Sequence, residues 1–303
     1  GMPMRVAGNI LIGFLVFGAA LVVTGGGEFF MNFAAALLGR TRGGPAKVAI
    51  LSSGFFGSLS GSVISNVVTT GQLTIPTMKR AGYTPAYAAS VEACASTGGT
   101  LMPPVMGAVA FLMAEFLNIP YRDIVIAAAV PSFLFYLALL LQVDCYAAVK
   151  GLKGQPASEI PSLWGTLKDG WFYLFSLLLL VYLLVWARME LYAPYYATAV
   201  LLASAAIFRK KERRFNFTKF RELIIESASI IASIIAILAG IGVIVGSLAF
   251  TGVGGAFSRE LLGYADGNLP LLLAMGALTS FLLGMGVTVS ACYIFLAIVM
   301  GPA

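Results

Sequence analysis

The residues whose types and spacing could do chemistry are oxygen donors set beside glycines. The run Gly57-Ser58-Leu59-Ser60-Gly61-Ser62-Val63-Ile64-Ser65-Asn66 gathers hydroxyls and an amide around a point of little steric bulk. There the chain can unwind and aim backbone C=O and N–H groups at a ligand. Further on, Ser96-Thr97-Gly98-Gly99-Thr100-Leu101-Met102-Pro103-Pro104 interrupts a second apolar stretch. Two prolines remove two backbone donors and clash with the preceding turn, so the carbonyls of Thr97 to Thr100 are expected to lose helical partners. Carbonyl and hydroxyl oxygens without nitrogen or sulfur ligands suit a hard monovalent cation such as Na⁺. A plainer reading stands beside it: Pro-Pro kinks a helix, and Ser, Thr and Gly let helices pack closely. A third Gly-rich point, Gly284-Met285-Gly286-Val287-Thr288, lies near the end of the chain. Glu92 is a carboxylate inside an apolar run, four residues before Ser96. Such a group is costly at membrane depth unless paired or hydrated. It is a candidate cation or proton site, or a structural acceptor for backbone groups freed by Pro103 and Pro104. The structural role is favoured, because the tip oxygens already offer a cation cage.

The elements that must position these residues belong to a membrane. Of 303 residues, 59% are hydrophobic and 11% charged, against about 25% charged in soluble domains. A soluble core of this size would leave far too much apolar surface in water, so the class is all-α integral membrane. The absence of His excludes an imidazole base, a His-ligated metal and a His proton relay. Cys94, Cys145 and Cys292 lack CxxC spacing, which argues against a disulfide framework or zinc site. A membrane-embedded transferase would need a nucleophile or base with a partner, and Glu92 stands alone. A channel would need a continuous polar pore.

Apolar stretches of spanning length fall at 6–23, 86–117 (interrupted), 124–149, 171–187, 192–208 and 223–250. Two more, 46–78 and 269–300, break near the middle at Ser60-Gly61-Ser62 and Gly284-Met285-Gly286. Short halves joined at a Gly-rich tip read as re-entrant hairpins. With both hairpins returning to their own side, 15 of the 19 Lys and Arg residues face one side, leaving Arg5, Arg122, Arg188 and Arg259 opposite. The positive-inside rule makes the basic side cytoplasmic. The run 209–214 is then a lipid-facing anchor rather than a nucleic-acid site.

Two stretches share a layout. Thr24-Gly25-Gly26-Gly27 and Leu37-Leu38-Gly39 precede the first hairpin; Thr251-Gly252-Val253-Gly254 and Leu261-Leu262-Gly263 precede the second. The resulting domain reading is a first repeat over 1–150, a linker with two middle spans over 151–222, and a second repeat over 223–303. The first contains hairpin 44–80, broken span 84–118 and span 124–149; the second is cut short after hairpin 268–301. Repeats of opposite orientation are the layout of many secondary transporters, whose sites lie where broken helices meet at the midplane.

The first tip, the exit Ile75-Pro76…Lys79-Arg80…Gly82-Tyr83 and the Val91-Glu92-Ala93…Met106-Gly107-Ala108 wording resemble the large permease subunit of tripartite ATP-independent periplasmic (TRAP) transporters. The closest wording is that of the fused-permease branch served by TAXI-type binding proteins. Gly284-Met285-Gly286-Val287-Thr288…Tyr293 is similar to the family's second tip, although Val287-Thr288-Val289-Ser290 stands where Leu-Pro-Thr-Thr is usual. The resemblance covers essentially the whole chain. It implies an ion-transporter-like fold in which a domain built on the two hairpins moves as an elevator. It also implies a sodium-coupled importer of an organic anion, such as a carboxylate, across a bacterial or archaeal inner membrane. The partners it implies are a TAXI-type periplasmic binding protein and small-subunit helices, fused or separate. Relative to the family the chain reads as incomplete at its C-terminus, so the partner of the second tip is expected to be missing. The first Na⁺ site is then expected at Ser60, Gly61, Ser62, Asn66, Thr97, Gly98 and Gly99. The second is expected at Gly284, Met285, Gly286 and Thr288, with substrate contacts from Ser62, Asn66, Thr100 and Thr288. A related ion-coupled carrier working without a binding protein is the alternative.

Overall fold

A computed structural model describes residues 8, 11–209, 215–252, 259–260, 263–264, 268–286, 289, 292–293 and 296–297. Among them every regular element is helical. Helix α1 (Ile12–Thr24) ends at Gly25, whose φ of +86° only glycine adopts freely, and the chain bends by 72° into α2 (Gly26–Leu38). The Tyr173 hydroxyl donates to Thr24 O at this corner, 2.5 Å away. Helices α3 (Gly44–Ser60) and α4 (Val63–Arg80) follow as a helical hairpin turning at Gly61 and Ser62, the latter's Oγ capping the Ser65 N–H. Thr84 caps and Pro85 opens α5 (Pro85–Gly99). An irregular stretch over 100–107 separates α5 from α6 (Ala108–Leu117).

The long α7 (Tyr121–Lys150) leads to a loop with one 3₁₀ turn at Ala157–Glu159. Then come α8 (Leu163–Val185), kinked at Gly170 under the Phe29 ring, and α9 (Ala193–Phe208). The described elements end with α10 (Phe217–Thr251) and α11 (Leu269–Gly284), each N-capped by an Asn. By length and composition, Tyr121–Lys150 and Ala157–Val185 could cross a membrane, and the bent α1–α2 pair would make a third. The 86–117 stretch, read as interrupted, is two short helices on either side of the irregular 100–107 segment.

Helix α3 is buried nearly all round, packed by α2, α4, α5 and α7. Its Ala, Ser and Gly positions let those helices approach closely. A larger apolar core joins α1, α2, α6, α7 and α8 through Phe14, Phe17, Phe30, Phe111, Tyr121, Phe172 and Tyr173. In it the Phe111 and Tyr121 rings stack at 4.2 Å. At one end of the bundle the hairpin root and the linker are stitched together. Gln155 N–H donates to Gly39 O at 2.8 Å, and Tyr83 Oη donates to Gly43 O at 3.2 Å. Asp144 on α7 takes Lys47 at 2.6 Å and also Arg42. Burial, with Tyr87 and Tyr146 beside it, pushes the Tyr83 hydroxyl up to about 12, so it stays a donor at any physiological pH. Arg122 and Glu190 meet at the opposite end, through the Arg122 N–H.

Candidate functional site

The hairpin turn and the break after α5 cross at backbone distance. A methyl group on Gly57 would stand 2.6 Å from Asn66 Nδ2 and 2.7 Å from the Gly99 Cα. One on Gly61 would stand 2.5 Å from the Gly107 Cα, and both glycines have positive φ (+61° and +73°). Four glycines thus close a crossing that no larger residue could enter unchanged. Between them the Val105 N–H donates to Ser58 O at 3.1 Å, a backbone bond joining the two segments.

The polar side chains divide by role. Asn66 is fully buried and donates from Nδ2 to Ser53 O at 2.8 Å, pinning α4 to α3. Ser62 is an N-cap. The Ser60 hydroxyl is buried and meets no hydrogen-bond partner among the described residues. Such an orphan costs about 1–3 kcal/mol unless a ligand or water takes it. An oxygen donor of this kind fits a hard cation better than any nitrogen or sulfur set would.

On the α5 side the expectation needs correcting. Helix α5 continues through Gly99, so the break begins at Thr100 rather than Ser96. The carbonyls of Thr97, Gly98 and Gly99 accept from the N–H groups of Thr100, Leu101 and Met102, as tight turns that replace the lost helical bonds. Gly99 faces the hairpin, whereas Gly98 faces α7, with a methyl there only 2.3 Å from Phe135 Cε1. Thr97 is exposed and turns its hydroxyl back to Ala93 O. Of the expected first-site residues, Asn66 and Gly99 meet at Gly57, and Gly61 meets Gly107, while Thr97 and Gly98 point elsewhere.

Residues outside the expected set hold the break in place. Tyr121, 1% exposed, sets its hydroxyl between Pro104 O at 2.8 Å and Val105 O at 2.7 Å. Its aromatic neighbour Phe111 in α6 is the one sequence hint that it belongs to a packed core. Glu92 is also fully buried, and hydroxyls of Ser53, Thr70, Thr74 and Ser96 surround its carboxylate. Among the described residues its partners are these side-chain hydroxyls rather than backbone groups near Pro103 and Pro104.

An apolar crevice of about 380 Å³ opens between the break and the second Gly-rich tip, lined by Thr100, Leu101, Met106, Met113, Ser280 and Gly284 among others. At that tip a methyl on Gly284 or Gly286 meets nothing within 4 Å, and Met285 is 77% exposed. Thr288 lies outside the described residues. A larger cavity of about 490 Å³, between α2, the start of α8 and Arg209, is remote from the crossing glycines.

Residues 2–303 match the family described as the tripartite ATP-independent periplasmic transporter, DctM component. The chain is 34% identical over 162 residues to a C4-dicarboxylate TRAP transporter large permease protein of Pseudomonas aeruginosa, covering 51% of this chain and 38% of that protein. It is 28% identical over 173 residues to the sialic acid TRAP transporter permease protein SiaT of Haemophilus influenzae, covering 57% and 28%. To the uncharacterized YgiK of Salmonella typhimurium it is 26% identical over 236 residues, covering 76% and 52%. The chain thus spans about half or less of the length of these relatives.

Proposed function

The chain belongs to the DctM family of TRAP transporters, and from that premise we propose that it forms part of a sodium-coupled importer of an organic anion in an inner membrane. One observation carries the reading: the hairpin turn and the break after α5 meet at the Gly57–Gly99 and Gly61–Gly107 contacts, and Ser60, next to Gly61 in the chain, has a buried hydroxyl without a hydrogen-bond partner among the described residues. Na⁺ would sit there with Ser60, Gly61, Asn66 and Gly99 around it. A second Na⁺ would use the Gly284–Gly286 tip with Thr288. The anion would occupy the crevice lined by Thr100 and Gly284, with Ser62, Asn66 and Thr288 reaching it as the hairpins close.

The names of the relatives include a dicarboxylate and a sialic acid carrier, so a carboxylate is the substrate class proposed. A TAXI-type periplasmic protein would deliver it, small-subunit helices would brace the carrier, and the basic end would face the cytoplasm. Movement of the hairpins as a body would carry the anion across. Reconstitution of the complete carrier in proteoliposomes, scanning cations and carboxylates with and without the binding protein, tests this. Uptake driven by a Na⁺ gradient and requiring the binding protein is expected. Uptake without that protein would favour a related stand-alone carrier.

A further inference from the structure

We infer that Glu92 is a positioning residue for the coupling cation, a fixed negative charge one hydrogen-bonded layer beneath the glycine crossing that sets cation affinity there. The inference rests on the sodium-coupled reading above. Glu92 lies on α5 with no exposure. Its Oε1 accepts from Ser53 at 2.8 Å, Thr70 at 2.5 Å and Ser96 at 3.2 Å, and its Oε2 from Thr74 at 2.5 Å. Four hydroxyls converge on one carboxyl from α3, α4 and α5; those of Thr70 and Thr74 also reach the carbonyls one turn back, Asn66 O at 2.8 Å and Thr70 O at 3.0 Å.

A shell of hydroxyls can solvate a carboxylate but brings it no opposite charge. Of the Lys and Arg residues on α3 and α4, Lys47 is held by Asp144, and Lys79 and Arg80 sit in the exposed last turn of α4. From α7 the facing titratable group is Tyr136, whose hydroxyl is given to Ala95 O at 2.8 Å. Two of the shell hydroxyls, Ser53 and Thr70, also touch each other at 3.0 Å. The charge reaches upward. Thr70 Oγ1 lies 2.8 Å from Asn66 O and 3.3 Å from Asn66 Oδ1, and Asn66 Nδ2 packs against Gly57 opposite Gly99. A buried charge left without a partner is strongly unfavourable. A cation at the crossing would supply that partner through the protein interior, where attraction is stronger than in water.

The test uses the complete carrier with its binding protein in proteoliposomes, comparing wild type with Glu92→Gln and Glu92→Asp. Three quantities are read: half-saturating Na⁺, substrate KM at saturating Na⁺, and the pH profile of uptake. Glu92→Gln is expected to raise half-saturating Na⁺ tenfold or more, with KM within twofold and uptake recovered at high Na⁺. Glu92→Asp, which keeps the charge, is expected to stay within threefold of wild type. If Glu92→Gln does not yield folded carrier, Glu92→Leu with Thr74→Val removes charge and facing donor together and carries the same expectation. Unchanged Na⁺ dependence in the charge-free variant overturns the inference. So does a flattened pH profile with Na⁺ dependence intact, which would make Glu92 a proton site. Wild-type uptake indifferent to Na⁺ overturns the sodium reading itself, and this inference with it.

Discussion

Single atoms decide the crossing. Gly57→Ala places a methyl 2.6–2.7 Å from Asn66 and Gly99, and overpacking of this kind costs about 1–3 kcal/mol. The expected outcome is a complete carrier that inserts but loses most Na⁺-driven uptake; uptake at wild-type rate would show that the close approach is dispensable. Tyr121→Phe keeps the ring stack and removes only the hydroxyl that serves Pro104 O and Val105 O. Stranding these carbonyls costs about 1–3 kcal/mol, to be read as a lower thermal midpoint in detergent. Gly61, Asn66 and Gly99 were among the site residues expected from the sequence, whereas Gly57 and Gly107, which close the crossing with them, were not. Ser53, Thr70 and Thr74 look like ordinary small residues of packed helices, and only the folding of three helices onto one carboxylate gives them a role.

Helix phase is what the sequence left open at the next scale. The Gly98-Gly99 pair signals a break, but successive helical residues point about 100° apart, so only one of the two can face the hairpin. The chain assigns that face to Gly99 and gives Gly98 to the Phe135 and Tyr136 rings. Gly98→Ala should therefore loosen α5 from α7, by about 1–3 kcal/mol, while leaving half-saturating Na⁺ in the surviving carrier unchanged. Paired measurements of thermal midpoint and Na⁺ dependence separate the two effects. Five helix starts have a local chemical cause, since Ser62, Thr84, Ser162, Asn216 and Asn268 each cap a helix. The extra turn of α5 before the break was not legible, since prolines at 103 and 104 forbid helix only in their own neighbourhood.

For the molecule as a whole, the loop count assigns the basic end to the cytoplasm as a proposal. Arg42 and Lys47 gather on Asp144 near the 151–155 loop, and Arg122 lies by Glu190 at the far end. In a cysteine-free background, Lys153→Cys is expected to resist an impermeant thiol reagent added outside intact cells, and Arg188→Cys to react with it. Both positions are exposed; the reverse pattern would invert the orientation. The seam between hairpin root and linker has a further consequence. The Gln155 N–H holds Gly39 O, and Gly154 lies so close under Arg40 O that a methyl would come within 2.4 Å. The covalent link at this place is therefore backed by a non-covalent one. A carrier severed between Lys153 and Gly154, expressed as two polypeptides, should reassemble in the membrane and co-purify through a tag on either half.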